Sequence, residues 1–163
     1  MDPAAYLRMA ELQKDHWWFA ARRAIIAAEI ARLALPADAQ ILDAGCGPGA
    51  NLEMLGRFGA VEGMELDEGA RLHAAKTGLP VHDGALPGGA PFEPGRFDLI
   101  GAFDVIEHIE DDHGALADIS GFLKPGGVFL ATVPANPWMW SAHDVHHHHF
   151  RRYTKATLTD LVA

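Results

Sequence analysis

One stretch constrains this chain more than any other: Ile41-Leu42-Asp43-Ala44-Gly45-Cys46-Gly47-Pro48-Gly49-Ala50-Asn51-Leu52. Its apolar opening suits a buried strand. It then breaks on a glycine-rich turn and resumes as a helix through Leu52, Met54, Leu55 and Phe58. A strand that turns sharply into a helix on glycines lets backbone N–H groups approach a ligand closely. Two ligands suit such a turn, a dinucleotide and S-adenosylmethionine (SAM). Read loosely, Gly45-x-Gly47-x-x-Ala50 even passes as the dinucleotide pattern with alanine in third place. Charge separates the two. A pyrophosphate needs N–H groups and no nearby carboxylate, whereas Asp43 stands just ahead of the first glycine and no Lys or Arg falls between Gln40 and Gly56. SAM carries a cationic sulfonium and an ammonium group, so Asp43 favours SAM. The bland alternative is a tight turn with no ligand, but three glycines with no side chains to pack are costly without a purpose.

The rest of the composition narrows the class. A chain of 163 residues suits one domain with a sizeable core. A net charge of −9 argues against a nucleic-acid phosphate footprint. The only thiol, Cys46, lies inside the glycine loop, so no intrachain disulfide forms and a reducing cytoplasm is expected. No apolar run approaches the ~18–20 residues of a membrane span, and an amino terminus with Asp2 and no cleavage site is not a signal peptide. The first forty residues or so read as helical, with Ile25, Ile26, Ile30 and Leu33 at roughly helical spacing and Pro36 as the stop. Ahead of them lies His16-Trp17-Trp18-Phe19, followed by Arg22 and Arg23. Three consecutive aromatics cannot all face one core. Residues 1–39 are therefore read as a helical lid, with Trp18 among the rings that cover a bound cofactor and exclude water. Packing of one or two rings, with the rest half-exposed, is the plain alternative.

From Gln40 the pattern alternates short apolar runs with helical ones, which predicts βαβ units and a parallel sheet over 40–163. Strands are expected at Gln40–Ala44, Ala60–Glu65, near Val81, Phe97–Phe103 and Val128–Val133. Helices are expected over Glu68–Lys76 and His113–Phe122, the latter stopped by Lys124-Pro125-Gly126-Gly127, and Thr154 reads as the N-cap of a last helix. Ligands of such sheets bind at the carboxyl ends of the strands, near the switch in strand order. Those ends carry Asp43, Glu65 with Asp67, Asp83, and Asp104 with Glu107 and His108. Each acid alone suits a solvated loop; their recurrence at one rim does not. Glu65 falls about twenty residues past the glycines, where a carboxylate can accept both ribose hydroxyls.

Asp43-Ala-Gly-Cys-Gly-Pro-Gly, Gly63-Met64-Glu65, Phe97-Asp98-Leu99-Ile100, Asp104-Val105-Ile106-Glu107-His108 and Leu123-Lys124-Pro125-Gly126-Gly127 follow one another in this order. Together they resemble the class I SAM-dependent methyltransferases, with most likeness to the subgroup around ubiquinone and menaquinone biosynthesis. The resemblance implies a doubly wound, Rossmann-like, mostly parallel α/β sheet. It implies that Asp43, Gly45, Gly47 and Gly49, with Cys46 between them, surround the methionine portion of SAM, and that Glu65 binds the ribose. Leu66 and the Asp83-Gly84-Ala85 turn would flank the adenine, and Phe103, with Asp104 beside it, would offer a backbone carbonyl. The tail, from Val133-Pro134-Ala135-Asn136-Pro137-Trp138 to Arg151-Arg152-Tyr153-Thr154, is similar to one branch of these enzymes, in which a His two places before Arg-Arg-Tyr matches His149. Relative to the family's seven-stranded sheet, the chain is expected to be truncated after strand five, leaving an edge that invites a homodimer.

Methyl transfer asks little of acids and bases, because a sulfonium is already a good leaving group. The enzyme must align the acceptor and keep water out. For a hydroxyl acceptor a base helps, and His108, His143 and His149 are the candidates. Arg151, Arg152, Trp138 and Trp140 could meet an anionic or flat small-molecule acceptor. No metal is expected in the His146–His149 run, since adjacent residues on an irregular loop rarely converge on one ion and no Cys partner exists. Two other functional classes stay open: a catalytically silent SAM-binding domain, and a nicotinamide-dependent oxidoreductase, which Asp43 disfavours.

Overall fold

A computed structural model describes residues 16–163. The expected readings on the residues before His16 lie outside the described part. Helix α1 (Trp17–Ile30) opens the described part, with the His16 ring accepting from the Trp18 N–H. The sheet comprises β1 (Gln40–Ala44), β2 (Ala60–Glu65), β3 (Val81–Asp83), β4 (Phe97–Phe103) and β5 (Leu123–Thr132), all parallel, in the order β3-β2-β1-β4-β5. Between them run α2 (Leu52–Leu55), α3 (Glu68–Ala74) and α4 (Asp112–Phe122). Two further helices follow, α5 (Ala142–His146) and α6 (Lys155–Val162).

The alternation of side chains along each strand splits the core into two layers. Ile41, Val61 and Leu99 face one side, where Ile26 and Ile30 of α1 and Leu52 and Leu55 of α2 cover them. Leu42, Met64 and Ile100 face the other, against Ile119 and Leu116 of α4 and Phe92 from the long loop. Burying both faces is why these strands read as nearly continuous apolar runs. A third cluster, Ala102, Ile106 and Tyr153 with Leu158 and Leu161, seats α6 beside the end of β4. The strand order reverses between β1 and β4, and the crevice at their carboxyl ends is the one place where connections leave in opposite directions.

Four expectations need correction. The helix after the glycines is only Leu52–Leu55; it closes at Gly56, and Phe58 lies in the return loop, where the chain bends back so that Ala60 N–H meets the Ala39 carbonyl at 2.8 Å. Ile25 is 64% exposed, so only Ile26 and Ile30 of the expected stripe are buried core of α1. β5 begins five residues early, at Leu123, rather than at Val128. The Lys-Pro-Gly-Gly turn is still present, as a bulge within the strand: Phe97 pairs with Leu123 and Leu99 with Val128, so 124–127 loop out with Gly126 at φ +82°. The helix over Glu68–Lys76 ends its α-helical part at Ala74 and tightens into a 3₁₀ turn, Ala75–Thr77.

Candidate active site

The glycine turn is built by close approach. The N–H groups of Gly45 and Cys46 both donate to the Met64 carbonyl, at 2.8 and 3.0 Å, folding the end of β1 across the end of β2. Gly45 has φ +74°, and a Cβ there would fall 2.7 Å from a Val105 methyl. Gly47, at φ +53°, is different: a Cβ would meet nothing within 4 Å, so its bare face opens outward. Its N–H donates to Glu65 Oε2 at 2.8 Å, while the other oxygen of Glu65 accepts from Asp67 N–H at 2.9 Å. The carboxylate expected to meet a ribose thus also ties the loop to the end of β2. Cys46 turns the other way. Its sulfur packs against Gly63, and burial beside Asp43 and Glu65 pushes the thiol well above its ordinary range, leaving it inert.

Asp43 is 1% exposed, and neither carboxylate oxygen has a hydrogen-bond partner. Burial pushes its pKa up to about 7, against the pull of Arg22 and with a further push from Glu65. A buried carboxyl with no donor is costly unless something cationic meets it.

On the β3 side, Arg71 of α3 gathers the rim. It donates to the carbonyls of Glu65 and Leu66, at 3.0 and 3.1 Å, and pairs with Asp83 at 3.0 Å. Glu65 and Asp83 are register partners, so the Asp83-Gly84-Ala85 turn sits directly beside the loop. Gly84 is buried against Met64, Ala85 exchanges two backbone hydrogen bonds with Gly89, and the Leu66 side chain is exposed.

On the β4 side, the Phe103 ring packs into the core and the chain turns at Asp104, which has φ +57°. Arg22 of α1 pairs with Asp104 at 2.7 Å and donates to Thr132 at the end of β5, also at 2.7 Å. Burial raises the Asp104 pKa, offset by Arg22 and the Thr132 hydroxyl. The Arg22 guanidinium also lies 5.5 Å from the centre of the Trp18 ring, which stacks edge-on to Phe19 and is 45% exposed. Glu107 follows, 1% exposed with both oxygens unpartnered, its pKa pushed up to about 8 by burial and by Asp104.

Of the candidate bases, the structure brings two together. The rings of His108 and His149 meet edge-to-face at 4.6 Å, and burial and the neighbouring imidazole lower the His108 pKa to about 4. His149 Nδ1 lies 3.0 Å from Asp144 Oδ1. Asp144 is fully buried, clasped by two nitrogens of Arg152 and by the Ser141 N–H, and its carboxyl is held well below the usual range. His143 is exposed on α5, 6.4 Å from the His149 ring. Arg151 and Arg152 are engaged within the chain, with Asp112 and Asp144 respectively, while Trp138 is 82% exposed. The sequence placed Glu107 at the rim without giving it a role, and did not assign Arg22, Arg71 or Asp144 to the site. For Glu107 the signal was there, beside His108 at a strand end. The other three act at a distance that only the fold defines. An open depression lined by Pro36, Asp38, Arg57 and Gly59 among others borders the starts of β1 and β2, the end opposite this rim.

A family model described as a methyltransferase domain matches residues 18–163. The chain belongs to this methyltransferase family. Among similar proteins is the ubiquinone biosynthesis O-methyltransferase of Proteus mirabilis, 34% identical over 109 residues, which cover 62% of this chain and 44% of that protein. The enzyme of the same name from Pseudomonas aeruginosa strain UCBPP-PA14 is also 34% identical, over 62% of this chain and 47% of its own. The chain therefore matches less than half the length of these curated relatives. Solved structures share the methyltransferase fold. A complex between the Haloferax volcanii Trm112 methyltransferase activator and a methyltransferase gives a TM-score of 0.78 at 21% identity, over 98% of this chain and 71% of that one. Geranyl diphosphate C-methyltransferase from Streptomyces coelicolor A3(2), solved with S-adenosylhomocysteine, gives 0.70 at 19% identity, over 91% and 64%. Membership in this family removes the nicotinamide-dependent alternative. No described helix is long and apolar enough to cross a membrane.

Proposed function

We propose that this methyltransferase chain binds SAM at the carboxyl ends of β1 and β2 and methylates a small molecule held beside β4. The carrying observation is Asp43: a buried carboxylate with both oxygens unpartnered, at the end of the strand whose glycine turn carries the open face of Gly47. That pair fits the cationic methionine end of SAM, while Glu65, Leu66 and the Asp83–Ala85 turn line the rim for its nucleoside end. Bound there, SAM supplies a methyl group on a sulfonium that departs as a neutral thioether. Glu65 fixes the loop, and α1, latched by Arg22, places Trp18 where it can exclude water. On the acceptor side His149 is the better placed imidazole, oriented by Asp144, with His108 against it and His143 further out. The net charge of −9 favours a small acceptor over a nucleic acid.

Calorimetric titration tests the reading. SAM and S-adenosylhomocysteine should bind with one site per chain, and NAD should not. Absence of SAM binding by the folded protein overturns it, and methyl release against a panel of hydroxylated acceptors separates an enzyme from a silent SAM-binding domain. The homodimer belongs on the outer edge of β5, which pairs with no other strand among the described residues; a monomer at every concentration in sedimentation would remove it. A reducing compartment is the setting that a lone buried Cys46 supports.

A further inference from the structure

The nucleoside end of the rim is gathered by a residue to which no ligand contact has been assigned. Arg71 lies one turn into α3: its backbone N–H donates to the Asp67 carbonyl at 2.9 Å, and Asp67 caps the helix by accepting the Ala70 N–H. That placement returns the side chain over the carboxyl ends of β2 and β3. Its Nη1 stands 3.0 Å from the Glu65 carbonyl, 3.1 Å from the Leu66 carbonyl and 3.0 Å from Asp83 Oδ1. This nitrogen carries two hydrogens, so three acceptors share two protons around one atom.

The three acceptors do not depend on Arg71 equally. The end of β2 is already fixed, by its ladder to β1 and by the two N–H groups that Glu65 accepts. β3 has three residues, pairs with β2 alone among the described residues, and ends at Asp83. The Asp83 side chain is 70% exposed, and Arg71 is its one ion-pair partner among the described residues. An exposed ion pair by itself contributes little to stability. Here the cation is anchored first, by two backbone carbonyls, so the pair acts on Asp83 and fixes the outer strand end against the inner one. Leu66 and the Asp83-Gly84-Ala85 turn line the nucleoside end of the site, and one nitrogen bonds to both. Leu66 is 68% exposed and gains no bracing from the core.

We propose that Arg71 is a positioning residue for the cofactor: it sets the width of the nucleoside slot, between Leu66 and the Asp83–Ala85 turn, before SAM arrives. The inference rests on SAM lying at the carboxyl ends of β1 and β2. Walls that are ordered in advance need not be ordered by the ligand, and that ordering otherwise lowers affinity. The effect belongs to the nucleoside half of the ligand, whereas Asp43 serves the methionine half.

The choice of ligand separates the two halves. Calorimetric titration uses S-adenosylhomocysteine, which has both, and methylthioadenosine, which keeps the nucleoside and lacks the amino-acid end. In Arg71→Ala both ligands should weaken by the same factor, at least about 5-fold, as freed side chains are ordered on binding. Arg71→Lys should recover most of the loss, because an ammonium brings three donors to three acceptors. In the ligand-free protein, hydrogen exchange should quicken at the Ala85 amide of Arg71→Ala and stay unchanged at the Gly47 amide, which Glu65 holds. Equal binding by parent and Arg71→Ala, weakening confined to S-adenosylhomocysteine, or a lysine variant no better than alanine would each overturn the role of Arg71. A parent that binds neither ligand overturns the SAM reading instead. Hydrogen exchange then still decides whether Arg71 holds the turn, and an Ala85 amide unchanged in Arg71→Ala rejects it.

Discussion

Glu65 and Asp43 sit within one loop's reach of each other, yet their oxygens are treated in opposite ways. Glu65 accepts an N–H at each oxygen, from Gly47 and from Asp67. Glu65→Ala should therefore lose both the loop tether and the ribose contact. It should weaken S-adenosylhomocysteine binding by about 1.5–3 kcal/mol, roughly 10- to 150-fold in dissociation constant. Calorimetry on the folded variant decides; an unchanged constant rejects the ribose assignment. Asp43 has no donor, and its pKa of about 7 leaves it about half protonated at neutrality. A cation docking beside it favours the ionised form, so SAM binding should release protons and strengthen from about pH 6 to about pH 8. In Asp43→Asn that slope should vanish, which titration in buffers of different ionisation heat would show. Both acids are legible in the sequence, because their distance from the glycines along a strand fixes where they end up. Arg22 and Arg71 are not legible in this way. A long cationic side chain finds its partner through the placement of its helix, and no local pattern encodes that placement.

Among the elements, α1 has two halves with different attachments. Ile26 and Ile30 sink into the core, whereas the first turns, with Trp17 at 72% exposure, are tied through Arg22 to Asp104 and Thr132 at the ends of β4 and β5. Arg22→Ala should loosen Trp17–Arg23 and leave Ile26–Ile30 docked. Hydrogen exchange is expected to show faster amides in the first segment only, with S-adenosylhomocysteine restoring protection in the parent. Equal protection with and without ligand would mean that the aromatics merely pack. The central strands are legible as apolar runs, since a strand buried on both faces has little room for polar residues, whereas the edge strand β3, Val81-His82-Asp83, offers one apolar residue only. The elements that were misread are short or interrupted. The four-residue α2 is set by where the chain must rejoin the sheet, and the bulge in β5 is a glycine turn that a strand absorbs. Helix α5 starts on a capping box, Ser141 with Asp144, and runs into the His146–His149 stretch that reads in the sequence as a loop.

Across the whole molecule, ionisable groups are shifted in both directions, and the signs decide how stability follows pH. Asp43 and Glu107, raised to about 7 and about 8, keep protons that the unfolded chain releases near pH 4, so their contribution declines as pH climbs toward 8. His108, lowered to about 4, works the other way up to about pH 6.5. Asp98, Asp112 and Asp144, held below the usual range, add stability above about pH 4 and lose it below. The stability of the ligand-free protein in thermal unfolding should therefore fall on the acid side of about pH 4. It should also weaken between about pH 6.5 and 8, at up to about 1.4 kcal/mol per pH unit for each group losing its proton. Glu107→Gln should flatten the alkaline decline, and a profile still rising at pH 8 would contradict the buried, neutral carboxyls. Time adds a further constraint. Chains are made from the amino end, and Arg22 is synthesised 110 residues before Thr132. Until β4 exists Arg22 has no carboxylate to grip, and until β5 exists it lacks the Thr132 hydroxyl that completes the latch. The first described helix is among the last to be fastened.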